Sequence, residues 1–191
     1  MTIVLCISGR IASGKSVLAQ RVSAKLGWRT ASFSQVLRST ALKRGNAQPT
    51  REDLQRIGTE RIQDGWREFC SEVLERAGWR AGEGLVIDGV RHSAALDALS
   101  ELVAPEPVAL VFINASDESL APRLKSKGIQ DLGQLTAIEQ DSTEREVTTD
   151  LVDRAALVVE SENDPNSMAE SVVSWVKKGM SSPPEPPAGG R

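Results

Sequence analysis

The sequence predicts an α/β fold in three layers, a five-stranded parallel sheet flanked by helices, and three observations carry that expectation. Five short runs are apolar or β-branched along nearly their whole length rather than alternating, as strands buried on both faces must be. Segments with helical periodicity separate them, and such alternation builds parallel sheets through crossover connections. The first run also leads through a glycine-containing loop, Gly9-Arg10-Ile11-Ala12-Ser13-Gly14-Lys15-Ser16, directly into a helical segment.

Taken in order, Thr2–Ser8 is the first strand, and Val17-Leu18-Ala19-Gln20-Arg21-Val22 continues the helix after the loop. Trp28–Phe33 is a short second strand, followed by helical stretches from about 35 to 43 and from about 51 to 77, the latter breaking near Gly65. Thr50 stands as N-cap of that stretch with Asp53 at its third position, the pattern of a capping box. Leu85–Asp88 is a buried strand ending in an acid, and Ala94–Leu102 is helical. Pro107–Asn114 is the strongest strand after the first, and Ser116-Asp117-Glu118 caps the helix that follows. Leu157–Val159 supplies the fifth strand, and an amphipathic helix from about Pro165 to Lys177 ends the ordered part. Residues 180–191 are rich in proline and glycine and read as a disordered tail, leaving one domain over 1–179. Gly-Trp-Arg recurs at Gly27, Gly65 and Gly78, but the unequal spacing excludes a periodic repeat.

At 191 residues, 40% hydrophobic and 26% charged, the chain has the length for one domain with a sizeable core. A formal net charge of −3 predicts neither nucleic-acid nor anionic-membrane partners. No apolar run approaches the length of a membrane span, and the chain starts without a secretory leader pattern. Cys6 and Cys70 lack metal-type spacing and read as reduced core residues, which suits a cytoplasmic protein. The sequence distinguishes neither monomer nor homodimer.

The octapeptide Gly9–Ser16 matches the pattern G-x-x-x-x-G-K-[ST] at every constrained position and implies a bound nucleoside triphosphate. Gly9 and Gly14 permit backbone angles that let successive N–H groups converge on an anion, and the helix starting near Lys15 adds its positive end. Lys15 is suited to the β- and γ-phosphates, and the Ser16 hydroxyl to a bridging Mg²⁺ ion. The residues expected to line the ATP site are Gly9, Ala12, Ser13, Gly14, Lys15, Ser16 and Val17. Asp88, at the carboxyl end of a buried strand, is placed where open α/β sheets bind ligands, and can serve a metal, orient an acceptor, or cap the next helix. Arg91 faces the same crevice in the first two cases. His92 is the single histidine and is assigned no catalytic role.

Ser32-Phe33-Ser34-Gln35-Val36-Leu37-Arg38, the run Thr50-Arg51-Glu52-Asp53-Leu54-Gln55-Arg56-Ile57-Gly58-Thr59-Glu60 and Val86-Ile87-Asp88-Gly89-Val90-Arg91 join the loop in a wider resemblance. Over about residues 1 to 160 the chain resembles P-loop kinases of the nucleoside-monophosphate kinase group, chiefly phage-type deoxynucleoside monophosphate kinases and dephospho-coenzyme A kinases. The resemblance implies ATP and Mg²⁺ as cofactors and a small-molecule nucleotide as acceptor. It implies Arg38, Arg51 and Arg91 around the acceptor phosphate, and Gln55 near its base or sugar; the alternative reading of Arg38 and Arg51 is as ordinary solvated helix residues. It further implies a small lid at about 122–149, with Arg123 meeting ATP phosphates, Lys127 on the same helix face and Arg145 on the return. Lys125 and Lys127 also read as a solvated face.

One departure matters. Dephospho-coenzyme A kinases carry an aspartate just after the second strand, where this chain has Ser34-Gln35, and neither is a general base. A hydroxyl acceptor benefits from such a base, whereas a monophosphate attacks through an oxygen that is already anionic. The expectation is therefore a kinase moving the γ-phosphate of Mg-ATP to a nucleoside or deoxynucleoside monophosphate, with Lys15, Asp88 and Arg123 as catalytic residues and Ser16 and Asp88 at the metal. The alternatives are a kinase of a hydroxyl-bearing small molecule and a non-catalytic nucleotide sensor.

Overall fold

The computed structural model describes residues 2–126, 149–161 and 164–180. Five strands, β1 (Val4–Gly9), β2 (Arg29–Ser32), β3 (Leu85–Asp88), β4 (Val108–Asn114) and β5 (Leu157–Glu160), form one sheet in the order β2-β3-β1-β4-β5. Every neighbouring pair is parallel, with Val4 opposite both Leu85 and Val108 on the two sides of β1. The predicted α/β class and strand number therefore hold.

Helices connect the strands: α1 (Lys15–Leu26), α2 (Phe33–Lys43), α3 (Arg51–Asp64), α4 (Trp66–Ala77), α5 (Ser93–Val103), α6 (Asp117–Lys125), the single turn α7 (Asp150–Asp153) and α8 (Pro165–Lys177). The period of two along each strand divides the core into two layers. Val4 and Cys6 of β1, Leu85 and Ile87 of β3, and Leu110 and Phe112 of β4 point to one face, where α2, α4 and α5 cover them. Leu5, Ile7, Val86, Val111 and Ile113 point to the other, under α1 and α8. Lys25 reaches Glu170 at 3.2 Å, linking α1 to α8 at the surface.

The expected helix starts are realised. Thr50 Oγ1 accepts from the Asp53 N–H and the Asp53 carboxylate accepts from the Thr50 N–H, completing the capping box, while Ser116 Oγ caps α6. The long helical stretch does break at Gly65, into α3 and α4. Two boundaries move. Phe33, assigned to the second strand, opens α2, because its ring packs edge-on against Phe69 of α4 at 5.0 Å between centroids. Met180, assigned to the tail, packs against the core layer under α8, and its N–H donates to the Trp175 carbonyl. Pro122–Lys125, where the lid is expected to begin, form the last turn of α6, and the rest of that expected lid, residues 127–148 with Lys127 and Arg145, lies outside the described residues, as do residues 181–191. No helix of the described residues is long and apolar enough to cross a membrane.

Cys6 and Cys70 are both buried free thiols. Burial, and then the nearby Cys70, push the Cys6 thiol well above its ordinary range, and burial pushes Cys70 up to about 12. Neither is a nucleophile at neutral pH.

Candidate functional site

β1 occupies the centre of the sheet and delivers the phosphate loop at its carboxyl end. Gly9 has φ +145°, and a Cβ there would stand 2.7 Å from the Ile113 carbonyl oxygen and 2.9 Å from Ser13 Oγ. The loop can thus lie against β4 only with glycine at this position. Gly14, with φ +98°, is the N-cap residue of α1 and meets no atom that a Cβ would strike, so its requirement is conformational alone. Ala12 also adopts a positive φ of 62°, a costly conformation for a non-glycine residue and one found at functional sites. Arg10 ties the loop to the β4–α6 connection by an ion pair with Asp117 at 2.7 Å and a hydrogen bond to the Ala115 carbonyl.

Lys15 folds back over the loop, its Nζ donating to the carbonyls of Gly9 and Arg10 at 2.7 and 2.6 Å. This holds an ammonium group above the concave backbone. Ser16, on the first turn of α1, donates its hydroxyl to Asp88 Oδ2 at 2.6 Å. Two residues 72 positions apart, on the loop helix and at the end of β3, are therefore brought together as the sequence reading required. The β3 side is fixed by Ser8, whose buried hydroxyl donates to the Val90 carbonyl at 2.6 Å, and by the Gly89 and Val90 N–H groups on the Ile7 carbonyl.

The other carboxylate oxygen, Asp88 Oδ1, is buried and has no hydrogen-bond partner among the described residues. A buried acceptor left in this way marks a place for an outside donor or cation. Ser16 Oγ and the Asp88 carboxylate are hard oxygen donors of the kind that Mg²⁺ takes, so the residues fit that ion. Among the described residues no cluster of three or more His, Cys, Asp or Glu could hold a metal alone, so phosphate and water would have to complete its shell.

A cleft of about 450 Å³ opens over the loop, lined by Ala12 to Val17 together with Ile11, Arg91, Arg123, Ser126, Pro165 and Met168. Of the predicted residues, those of the loop other than Gly9, with Arg91 and Arg123, line this cleft, and Asp88 adjoins it through Ser16. Gly9 does not line it. Arg38, Arg51 and Gln55 do not line it: they stand exposed on α2 and α3. Ser34 and Gln35 are also exposed, and the Ser34 hydroxyl pairs with that of Ser32 at 2.9 Å. His92 lies at the start of α5 with its ring 4.9 Å from that of Trp66. Ser161 was not foreseen, although it immediately follows β5 and the strand-end rule that picked out Asp88 applies to it equally.

The sequence matches a family model described as AAA domain over residues 5–164. Among solved structures the chain is similar to a sugar kinase from Janibacter sp. HTCC2649, with 16% identity, a TM-score of 0.56, and coverage of 95% of this chain and 99% of that one. It is similar to a gluconokinase from Sinorhizobium meliloti 1021 at 17% identity and a TM-score of 0.57, covering 93% and 95% of the two chains. It is also similar to a shikimate kinase from Aquifex aeolicus VF5 at 16% identity and a TM-score of 0.54, covering 93% and 98%. No curated protein sequence gives a significant match. At such identities the likeness is one of fold, and that fold is the three-layer P-loop α/β architecture, with its phosphate loop on the central strand. Since the family model takes in that loop and all five strands, the chain belongs to the AAA domain family.

Proposed function

We propose that the protein is an ATP-dependent phosphotransferase acting on a small molecule, with a nucleoside or deoxynucleoside monophosphate as acceptor. The observation that carries the donor half is the 2.6 Å contact between Ser16 and Asp88, which sets a hydroxyl and a carboxylate with one unpartnered oxygen beside an anion-binding loop. Mg-ATP supplies the polarised γ-phosphate. In this reading the loop amides and Lys15 orient the phosphates and offset their charge, Ser16 and Asp88 hold the metal side, and Arg91 and Arg123 flank the path of transfer.

Two features support a monophosphate acceptor. No carboxylate follows β2, where Ser34 and Gln35 stand, so an acceptor that is already anionic suits the site. Arg38 and Arg51 are exposed and have no ion-pair partner among the described residues, which leaves two guanidinium groups able to take a phosphate bidentately. The second reading, a hydroxyl-bearing acceptor, is supported by the similarity to a gluconokinase and a shikimate kinase. Asp88 would then take the hydroxyl proton, and the arginines would hold an acceptor's carboxylate.

The test is transfer of labelled γ-phosphate from ATP to a panel of ribo- and deoxyribonucleoside monophosphates, dephospho-coenzyme A, gluconate and shikimate, with Lys15→Ala as the control. Turnover of a monophosphate that Lys15→Ala abolishes is the expected result. Transfer only to hydroxyl acceptors replaces the acceptor assignment, nucleotide binding without any transfer favours a sensor, and full activity in Lys15→Ala refutes the site.

A further inference from the structure

Arg123 is held at the cleft wall by a neutral residue. The two terminal nitrogens of its guanidinium grip both polar groups of Ser161: Nη1 donates to the hydroxyl at 2.6 Å and Nη2 to the carbonyl at 3.1 Å. A further, longer bond runs from Nη1 to the carbonyl of Ser13 in the phosphate loop, at 3.4 Å. Ser161 is itself 1% exposed, its N–H donates to the Asn114 carbonyl at 2.7 Å, and its hydroxyl, while accepting from Arg123, points its own proton at Ser13 O, 3.4 Å away. The serine thus joins the ends of β4 and β5, the last turn of α6 and the loop.

An arginine has five N–H donors in a flat fork. The end that carries Nη1 and Nη2 is spent on Ser161 and Ser13, while the Nε–H and the second Nη2–H, which share the adjacent side, have no protein partner among the described residues. That side is itself a two-donor face suited to an anionic oxygen pair. No carboxylate pairs with Arg123 among the described residues, and Arg123 lines the same cleft as Lys15 and Ser16. A buried arginine is ordinarily fixed by Asp or Glu, which fixes the orientation but also cancels the charge. A serine fixes the orientation and leaves the charge intact.

We infer that Ser161 is a positioning residue for nucleotide binding: it holds the Arg123 guanidinium oriented before the nucleotide arrives and, being neutral, keeps its full positive charge for the ATP phosphates. This inference rests on the donor half of the proposed function. Preorganisation lowers the ordering cost of binding, and an uncompensated charge in a partly buried cleft strengthens the contact once it is made.

The experiment is calorimetric titration of the whole protein with Mg-ATP, which requires no acceptor, for wild type, Lys15→Ala, Ser161→Ala, Ser161→Thr and Ser161→Asp, each checked by its thermal melt. Ser161→Ala keeps the carbonyl and loses the hydroxyl, so its Kd rises about 3- to 10-fold. Ser161→Thr restores the Kd to within about twofold, because the hydroxyl returns. Ser161→Asp weakens binding more than Ser161→Ala, by more than about tenfold, although it gives Arg123 a stronger anchor. A merely structural serine predicts the reverse order for the last two, with the ion pair rescuing and alanine the worse. Equal Kd values in wild type, Ser161→Ala and Ser161→Asp overturn the inference, as does an aspartate variant that binds better than alanine. Failure of the donor reading is separate: it shows as no binding by wild type, or as binding unchanged in Lys15→Ala. A variant that does not melt cooperatively is replaced by Arg123→Lys, which cannot grip Ser161 with a fork and is expected to bind Mg-ATP about 3- to 10-fold more weakly; wild-type affinity in Arg123→Lys overturns the inference equally.

Discussion

Replacing Gly9 by alanine tests how the phosphate loop is built, and the structure sets the scale of the effect. The new methyl would meet the Ile113 carbonyl oxygen at 2.7 Å, and that oxygen belongs to β4, which runs beside β1 with Gly9 opposite Ile113. Neither strand can retreat without breaking the ladder. Overpacking of this kind costs about 1–3 kcal/mol. The positive φ of 145° adds a conformational cost of about 1–3 kcal/mol, so the central expectation is about 4 kcal/mol. Gly14→Ala is the internal control: at φ +98° with nothing within 4 Å of the added carbon, it bears only the conformational cost, about 2 kcal/mol. For a chain of this length each kcal/mol lowers the melting temperature by about 2–4 °C, so Gly9→Ala is expected to melt about 12 °C and Gly14→Ala about 6 °C below wild type. Scanning calorimetry without nucleotide measures both. If Gly9→Ala melts within about 2 °C of wild type, or if Gly14→Ala is the more damaging change, the close approach of loop and strand does not determine the site.

Two further predictions concern charge. Asp88→Asn keeps an acceptor for the Ser16 hydroxyl but removes the negative charge, so kcat should fall about 100-fold or more while the protein still binds ATP; single-turnover kinetics at saturating Mg-ATP measure it, and a wild-type rate would remove Asp88 from the mechanism. Arg154 donates to Asp97 Oδ1 at 2.5 Å, and this hydrogen bond holds the Asp97 carboxyl below its ordinary value of 3.8. A depressed carboxyl stabilises the fold above its unfolded value and loses that contribution as the pH falls through its folded value. Urea melts should therefore show Asp97→Asn less stable than wild type at pH 7, by no more than about 1 kcal/mol because the pair is solvent-exposed, with the gap closing below about pH 4; a gap of the same size at pH 3 and pH 7 contradicts the assignment.

The shape of the phosphate loop and its neighbourhood was largely legible in the sequence because its geometry is local. Gly9, Gly14, Lys15 and Ser16 sit in one loop between a strand and a helix, and Asp88 sits at the end of a strand whose apolar run is unmistakable, so short-range pattern sufficed. The central strands were readable for the same reason: parallel strands buried on both faces show continuous apolar runs, as Leu5-Cys6-Ile7 and Leu110-Val111-Phe112-Ile113 do, whereas the edge strands β2 and β5 carry exposed residues and give a weaker signal. What the pattern could not supply was pairing across the chain. The union of Arg123 with Ser161 spans 38 positions and depends on where β5 ends relative to α6. Phe33 was misplaced because its aromatic, β-favouring side chain suits a strand locally, and only its packing on Phe69 makes it the first residue of a helix. Arg38 and Arg51 illustrate the opposite limit: their residue types and resemblance suggested an acceptor site, but whether α2 and α3 carry them toward the cleft is set by tertiary geometry, and here they stand outside its lining.

The central place of β1 has a consequence for motion. Its residues Val4 to Ile7 are fully buried, and it is hydrogen-bonded on both sides, to β3 and β4, whereas β2 and β5 form the sheet edges. The amides of such a strand exchange with solvent only when the whole sheet opens, while edge strands and surface helices fray at far lower cost. The phosphate loop, continuous with that strand, therefore borrows the rigidity of the least yielding part of the molecule. Adaptation to a ligand is left to the elements around it, and the anion cradle keeps its shape for as long as the protein remains folded.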